Sequence, residues 1–445
     1  MANAEAEVMV AEKSGHPGML RRIAGYKIGP VPLTLYVILA AVIYTASVVG
    51  KLPADMIGGI AVLMIGGILL GHIGLTIPYV KDLGGAPILS NFVPCILVAY
   101  GLVNPNLMKA ATAFMKGSNF LYFYVACLVT GSILGMQRVV LIQGFLRMFV
   151  PLLVGTLSSI VAGTGVGVLT GQGIRHSFFD IVMPILAGGV GEGILPLSMA
   201  YSEILHRPYS AFLPQLLPAA LLGNVFAISS AGYLKRLGEK KPHLSGNGLL
   251  VKTREDNLIL QEQNAQHAVD FHLMGAGLLL SMTFYIWGLL GNMLTHFPGP
   301  IIMIFTAATI KALGWMPEKM ERGALQMYRF VATTLTWALM VGFGLVDMRW
   351  HEVVAAISLP YILVCAATVL AMITSGFFVG KLINMYPIEA AIVTGCHSGM
   401  GGSGDVAILS ASNRMGLMPF AQVSTRLGGA CVVVVATILL RIVAR

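Results

Sequence analysis

Apolar runs long enough to cross a bilayer recur from one end of this chain to the other, and they decide what it can fold into. A hydrocarbon core of about 30 Å needs about 20 apolar residues in a helix. Runs of that kind lie near 31–49, 56–77, 86–103, 119–136, 140–170, 210–233, 271–293, 299–314, 324–346, 352–380 and 418–443. Hydrophobic residues make up 56% of the 445 positions and charged residues only 11%, against about 25% charged in a soluble domain. In water such a chain would expose large apolar patches and associate. We therefore expect an all-α polytopic membrane protein of about eleven transmembrane helices, solvated by the lipid bilayer. The 299–314 run is the least regular, because Lys311 falls inside it. A polar lead without a cleavage-like pattern precedes the first run, which reads as a span and not a signal peptide.

The formal charge of +9 does not point to nucleic acid. The basic residues form no stripe; they sit where apolar runs end, so they report topology. Lys13, Arg21, Arg22 and Lys27 precede the first run, while Lys235, Arg236, Lys240, Lys241, Lys252 and Arg254 lie in the longest polar stretch, near 234–270. Six spans separate the two stretches. The positive-inside rule puts both in the cytoplasm, together with Lys81, and puts the C-terminus outside a cytoplasmic (inner) membrane. The five cysteines are widely spaced in apolar stretches, and suggest neither a disulfide framework nor a metal cluster. Cys396 and His397 are neighbours, but two adjacent residues of this kind read as packing.

The polar stretch also divides the chain into halves, and the halves share a motif. Gly188-Gly189-Val190-Gly191-Glu192 in the first is matched by Gly401-Gly402-Ser403-Gly404-Asp405 in the second. Each precedes the last span of its half, about half the chain apart, and each is followed by an apolar stretch ending in Ser (Ser198 and Ser410). With five spans per half, the halves would be inverted. The expected organisation is a cytoplasmic segment at 1–30 and an extra first helix at 31–50. A first repeat at 51–233, with a re-entrant loop near 181–200, precedes the cytoplasmic linker at 234–270. A second repeat follows at 271–445, with its re-entrant loop near 388–411. Inverted repeats with broken backbone at the midplane are a plan of secondary transporters.

Three glycines in four residues make a poor helix interior, at about 1 kcal/mol each relative to alanine. Non-helical backbone at membrane depth is tolerated where protein or a water-filled cavity surrounds it. A hairpin tip built this way exposes N–H groups that attract a carboxylate and carbonyls that attract a cation. Close helix packing is the plainer explanation of such glycines, but Glu192 and Asp405 weigh against it, since a charge deep in a bilayer costs about 3 kcal/mol or more and marks function. Arg426, inside the apolar final run, can hold a carboxylate bidentately, or form a structural ion pair with Asp405 or Glu192. Arg414 reads as an interface anchor. Arg207 and Glu203 would stand at the outer mouth, to guide anions or as a solvated loop pair.

Patterns of soluble enzymes fail. His351-Glu352-Val353-Val354-Ala355 lacks a second histidine, and Gly376 to Lys381 is one residue short of a phosphate-binding loop, with Leu382 where Ser or Thr is needed. Gly163-Thr164-Gly165-Val166-Gly167 lies inside an apolar run. A non-enzymatic carrier driven by an ion or substrate gradient is the expected function. The membrane subunit of a sodium-pumping decarboxylase and a passive anion channel are the alternatives.

G-G-x-G-x-G-x-x-P-L-S at 188–198, G-G-S-G-D at 401–405, Ser412-Asn413-Arg414-Met415 and A-Q-x-S-x-R-L-G-G at 421–429 together resemble the 2-hydroxycarboxylate transporter family. That family includes sodium–citrate and sodium–malate symporters and precursor/product exchangers. The resemblance implies a homodimer that moves malate or citrate with Na+ (or H+). It implies substrate contacts at Val190, Gly191, Glu192, Ser403, Gly404 and Arg426, to which the position of Arg207 adds a candidate at the mouth, and Na+ ligands among Asp405, Ser403, Gly399 and Glu192. The sodium–citrate symporters have arginine where this chain has Met400, asparagine at Gly399 and Val190, and a small residue at Glu192. Those departures favour a dicarboxylate such as malate.

Overall fold

The computed structural model describes residues 26–77, 85–136, 138, 145–251, 268–295 and 299–444, without the side chains of residues 145, 146, 356, 403, 415 and 419. The lead up to residue 25, with Lys13, Arg21 and Arg22, lies outside the described residues, as do Lys81, Lys252 and Arg254.

Two short antiparallel strands, β1 (Lys27–Ile28) and β2 (Val31–Pro32), pair Lys27 with Pro32 and Ile28 with Val31. Every further regular element among the described residues is helical, apart from an isolated bridge between Val251 and Met385. The first half runs through α1 (Leu33–Val48), α2 (Met56–Thr76), α3 (Gly85–Ala99), α4 (Pro105–Thr112), α5 (Phe120–Leu134), α6 (Phe145–Leu169), α7 (Leu195–Leu205) and α8 (Leu213–Lys240). The second runs through α9 (Phe271–Thr295), α10 (Gly299–Leu313), α11 (Glu318–Thr334), α12 (Thr336–Gly342), α13 (Trp350–Ala356), α14 (Leu359–Leu382), α15 (Pro387–Cys396), α16 (Gly402–Ser412), α17 (Met418–Gln422) and α18 (Gly429–Val443).

Six helices among the described residues are long and apolar enough to cross a membrane, or up to eight if each bent pair is one span. The bent pairs are Pro105–Gly117 with α5 and α11 with Thr336–Asp347, each bent by 50°. The apolar run at 324–346 is therefore broken at Leu335, and the run at 352–380 is the short α13 followed by α14. Helices α1, α3 and α10 coincide with expected spans but are shorter. One order of elements recurs: a long helix, a short apolar one, a bent pair, a long helix, a glycine turn between helical arms, a last long helix.

Local chemistry sets the starts of these helices. The Asp55 carboxylate accepts from the N–H groups of Ile57 and Gly58 and opens α2, and Ser358 caps α14 through the Tyr361 N–H. Helix α9 buries Gly277, Ser281, Phe284 and Gly288 but exposes Ile286, Trp287, Leu290 and Leu294. A buried face that is small apart from Phe284, with large apolar residues outside, is the reverse of a soluble amphipathic helix; it matches a helix packed closely on its neighbours and bathed in lipid. At its crossing with α11, a Cβ on Gly277 would collide with the Gly323 carbonyl. Lys311, the irregular residue of α10, is buried and 2.7 Å from Glu321 of α11, so its charge is neutralised within the protein.

The packing falls into two groups. Helices α5, α9, α10 and α11 pack together, with α2, α3 and α12 beside them; α6, α8, α14, α15 and α16 form the other. On the second group, residues 245–248 are fastened to Glu389 of α15. This fully buried carboxylate accepts from Ser245 Oγ (2.8 Å), the Gly246 N–H (2.9 Å) and Arg414 Nε (3.0 Å). Arg414 also donates to Ser245 Oγ at 2.9 Å. The expected interface anchor is thus an internal one: its charge is matched in the interior by Glu389.

Candidate functional site

The two glycine motifs reverse the chain in conformations that residues with a Cβ avoid. Gly188 and Gly189 have φ of 77° and 127°, and Gly401 has φ of 74°. The turns also meet: a Cβ on Gly189 would lie 2.6 Å from the Gly401 nitrogen and 2.7 Å from its Cα. Only glycine satisfies both the torsion and the approach, so motifs half a chain apart become one backbone-lined junction.

Charged side chains converge there. Glu192 lies in a widened helical turn, Val190–Ile194, ahead of α7, and Arg426 in another, Val423–Gly428, ahead of α18. Such turns recur at functional sites. Asp405 lies in the first turn of α16, where free N–H groups favour an anion. Arg426 Nε is 3.8 Å from Glu192 Oε2. Its Nη1 donates to the Ser132 carbonyl and its Nη2 to the Tyr328 hydroxyl, both at 3.1 Å, with the guanidinium carbon 4.9 Å from the Tyr328 ring centroid. Asp405 Oδ2 accepts from Thr425 Oγ1 at 2.9 Å. Both carboxylates lie within electrostatic reach of Arg426.

Counted as two carboxylates and one guanidinium, this buried cluster carries one excess negative charge. It also holds polar atoms without hydrogen-bond partners among the described residues: Glu192 Oε2, Asp405 Oδ1, His397 Nε2, Ser398 Oγ and Ser424 Oγ. Buried polar groups are ordinarily satisfied, so a set of open ones is what an entering ion or anion would complete. Carboxylate, hydroxyl and backbone oxygens are the hard donors that suit alkali and alkaline-earth cations. No group of three or more His, Cys, Asp or Glu residues placed to hold a metal occurs among the described residues; His397 instead donates from Nδ1 to the Ser424 carbonyl at 2.8 Å.

The junction opens on a cavity of about 410 Å³. Val190, Gly191 and Glu192 line it from the first turn and Met400, Gly401 and Gly402 from the second, facing Tyr124 and Leu128 of α5 and the bent pair α11–α12. The cavity therefore lies between the two helix groups. Gly399 is buried within the second turn. A Cβ on Gly404 would lie 2.8 Å from Asn224 Oδ1. The Ser403 side chain lies outside the described residues. Arg207 is not brought to this site; it lines a separate cavity with Arg175 and Asp180, because the loop after α7 carries it away from the turn. Glu203 accepts from Asn292 Nδ2 of α9 at 3.1 Å and is not paired with Arg207.

Several contributors carry no motif. Tyr328 supports Arg426; the Tyr124 and Thr336 hydroxyls pair at 2.7 Å on the cavity wall; and Asn224 of α8 accepts the Met400 N–H at 3.3 Å. Their one signal in the sequence is a polar group inside an apolar run.

The chain also matches known proteins over nearly its whole length. Residues 28–438 match the model of the 2-hydroxycarboxylate transporter family. The chain is 54% identical to the Na+-malate symporter of Bacillus subtilis (strain 168) over 428 residues, 96% of each protein. It is 41% identical to the citrate/malate-proton symporter of the same organism, over 93% of this chain and 92% of that protein. It is 31% identical to the citrate/sodium symporter of Salmonella typhimurium, over 97% of this chain and 98% of that protein.

Proposed function

The chain belongs to the 2-hydroxycarboxylate transporter family, and from that premise we propose that it is a malate carrier of the cytoplasmic membrane, driven by symport with Na+. Secondary transport of malate or citrate with Na+ or H+ is common to its named relatives. A transporter, not an enzyme, is what the family comprises, and this replaces the decarboxylase-subunit reading. The observation that carries the proposal is the buried Glu192–Arg426–Asp405 cluster at the junction of the glycine turns. Its excess negative charge calls for a cation, and its guanidinium calls for a carboxylate.

In this reading Na+ enters beside Asp405, with Ser403, Gly399 and Glu192 as further ligands. Malate lies across Val190, Gly191 and the start of α16 at Ser403 and Gly404, with Arg426 holding one carboxylate. The cation neutralises the cluster before the anion arrives, so each ligand favours the other. That mutual dependence is what symport requires.

Six long helices, two bent pairs and the three shorter helices α1, α3 and α10 give eleven crossings. The recurring order of elements supports two inverted repeats of five, each with a re-entrant hairpin at its glycine turn. Lys235, Arg236, Lys240 and Lys241 after α8 put that end in the cytoplasm, with the N-terminus inside and the C-terminus outside. The homodimer rests on the family resemblance alone.

The test is uptake of radiolabelled malate by proteoliposomes of the purified protein, with citrate and lactate as competitors and as internal counter-substrates. Uptake into empty vesicles supports symport. Uptake confined to vesicles preloaded with a second carboxylate indicates a precursor/product exchanger.

A further inference from the structure

Malate carries two carboxylates, and the guanidinium of Arg426 is already shared among Glu192, the Ser132 carbonyl and the Tyr328 hydroxyl. It sits behind Tyr328 and does not itself line the cavity. The glycine turns present Val190, Gly191, Glu192, Met400, Gly401 and Gly402 to the cavity, which supply backbone, apolar surface and one acid but no cation. A dianion entering from that side alone would meet one shared positive charge.

Directly after Tyr328 on α11, Arg329 lines the opposite wall of the same cavity. It is exposed, and among the described residues no carboxylate lies within ion-pair distance of it. It is also the one cation lining the cavity among the described residues. Thr333, one turn further along α11, donates its hydroxyl to the Arg329 carbonyl at 2.7 Å, a bond to the backbone that does not engage the guanidinium.

We propose that Arg329 is the contact for the second carboxylate of the substrate, so that the dianion is held between the hairpin group and α11. The inference rests on the malate-carrier reading and adds a specificity-determining residue that no glycine motif contains. With Na+ the buried cluster is neutral, so the Arg426 fork meets one carboxylate through its hydrogen bonds and Arg329 adds the net positive charge that the dianion otherwise lacks. Binding from both walls also ties substrate occupancy to the relative position of the two helix groups.

The experiment compares wild type, Arg329→Met and Arg329→Lys in proteoliposomes at saturating Na+, with malate KM, maximal rate and thermal midpoint measured for each. Arg329→Met is expected to raise malate KM about ten- to a hundredfold, the range for losing a charge-assisted contact. Its thermal midpoint should stay that of wild type, because the side chain is exposed. Arg329→Lys should fall between the two. An unchanged KM in Arg329→Met, or a KM change in both variants that tracks a lowered thermal midpoint, overturns the proposal. Should Arg329→Met not assemble, Arg329→Lys decides it: a several-fold rise in KM with a normal midpoint supports the contact, and a wild-type KM refutes it. If wild type itself takes up no malate, the carrier reading fails instead.

Discussion

The Glu192 carboxylate stands 3.8 Å from Nε of Arg426, where the turn before α7 meets the turn before α18. Arg426 is buried and Glu192 is partly buried on the cavity wall, and each comes from a widened helical turn in a different half of the chain. The pair is therefore both a structural tie and an incomplete site, since Glu192 Oε2 has no hydrogen bond among the described residues.

Replacing Arg426 by lysine keeps the charge and removes the planar fork, so the contacts to Ser132 and Tyr328 cannot both be kept. We expect malate affinity to fall about ten- to a hundredfold. Radioligand competition on purified protein measures it. Unchanged affinity would make Arg426 a purely structural partner of Glu192.

Asp405→Asn preserves shape and still accepts from Thr425 Oγ1, which donates to Oδ2 in the native site. What it removes is the charge beside the open Oδ1. The Na+ concentration for half-maximal uptake should rise about tenfold or more, on the order of one lost charge-assisted contact. A Na+ titration identical to wild type would move the cation site elsewhere.

The two glycine turns rank their own substitutions. At Gly401 an added Cβ has room, with its nearest neighbours at 3.7 Å, so Gly401→Ala costs about 1–3 kcal/mol through its backbone alone, whose φ of 74° and ψ of −152° lie in a region essentially reserved for glycine. At Gly189 the added Cβ also collides with Gly401. Thermal unfolding in detergent should place Gly189→Ala below Gly401→Ala. Equal midpoints would mean that the turns do not touch as described.

Glu389 gathers Ser245, Gly246 and Arg414 in the interior. Removing one partner of a buried pair leaves an uncompensated charge and costs about 3–5 kcal/mol. Glu389→Ala should lower the thermal midpoint and open residues 245–248 to limited proteolysis. Resistance equal to wild type would show that the fastening is dispensable.

Much of this was legible from spacing and residue type. The apolar runs located the helices, and the paired G-G-x-G-acid motifs with Arg426 singled out the residues that converge. What spacing cannot convey is distance in space. Nothing in the sequence says that Gly189 touches Gly401, or that the Arg414 guanidinium turns inward to Glu389. Arg207 shows the converse: near the first motif in sequence, it faces a different cavity. Tyr124, Tyr328 and Thr336 stayed hidden because a hydroxyl in an apolar helix looks alike whether it faces a neighbour or a cavity.

Malate uptake into empty proteoliposomes, with pH and membrane potential clamped, decides whether Na+ drives this carrier. Accumulation above the external concentration is expected only with an inward Na+ gradient, and should be lost in Asp405→Asn. Accumulation driven equally well by a proton gradient without Na+, or uptake only into vesicles preloaded with a carboxylate, would contradict it.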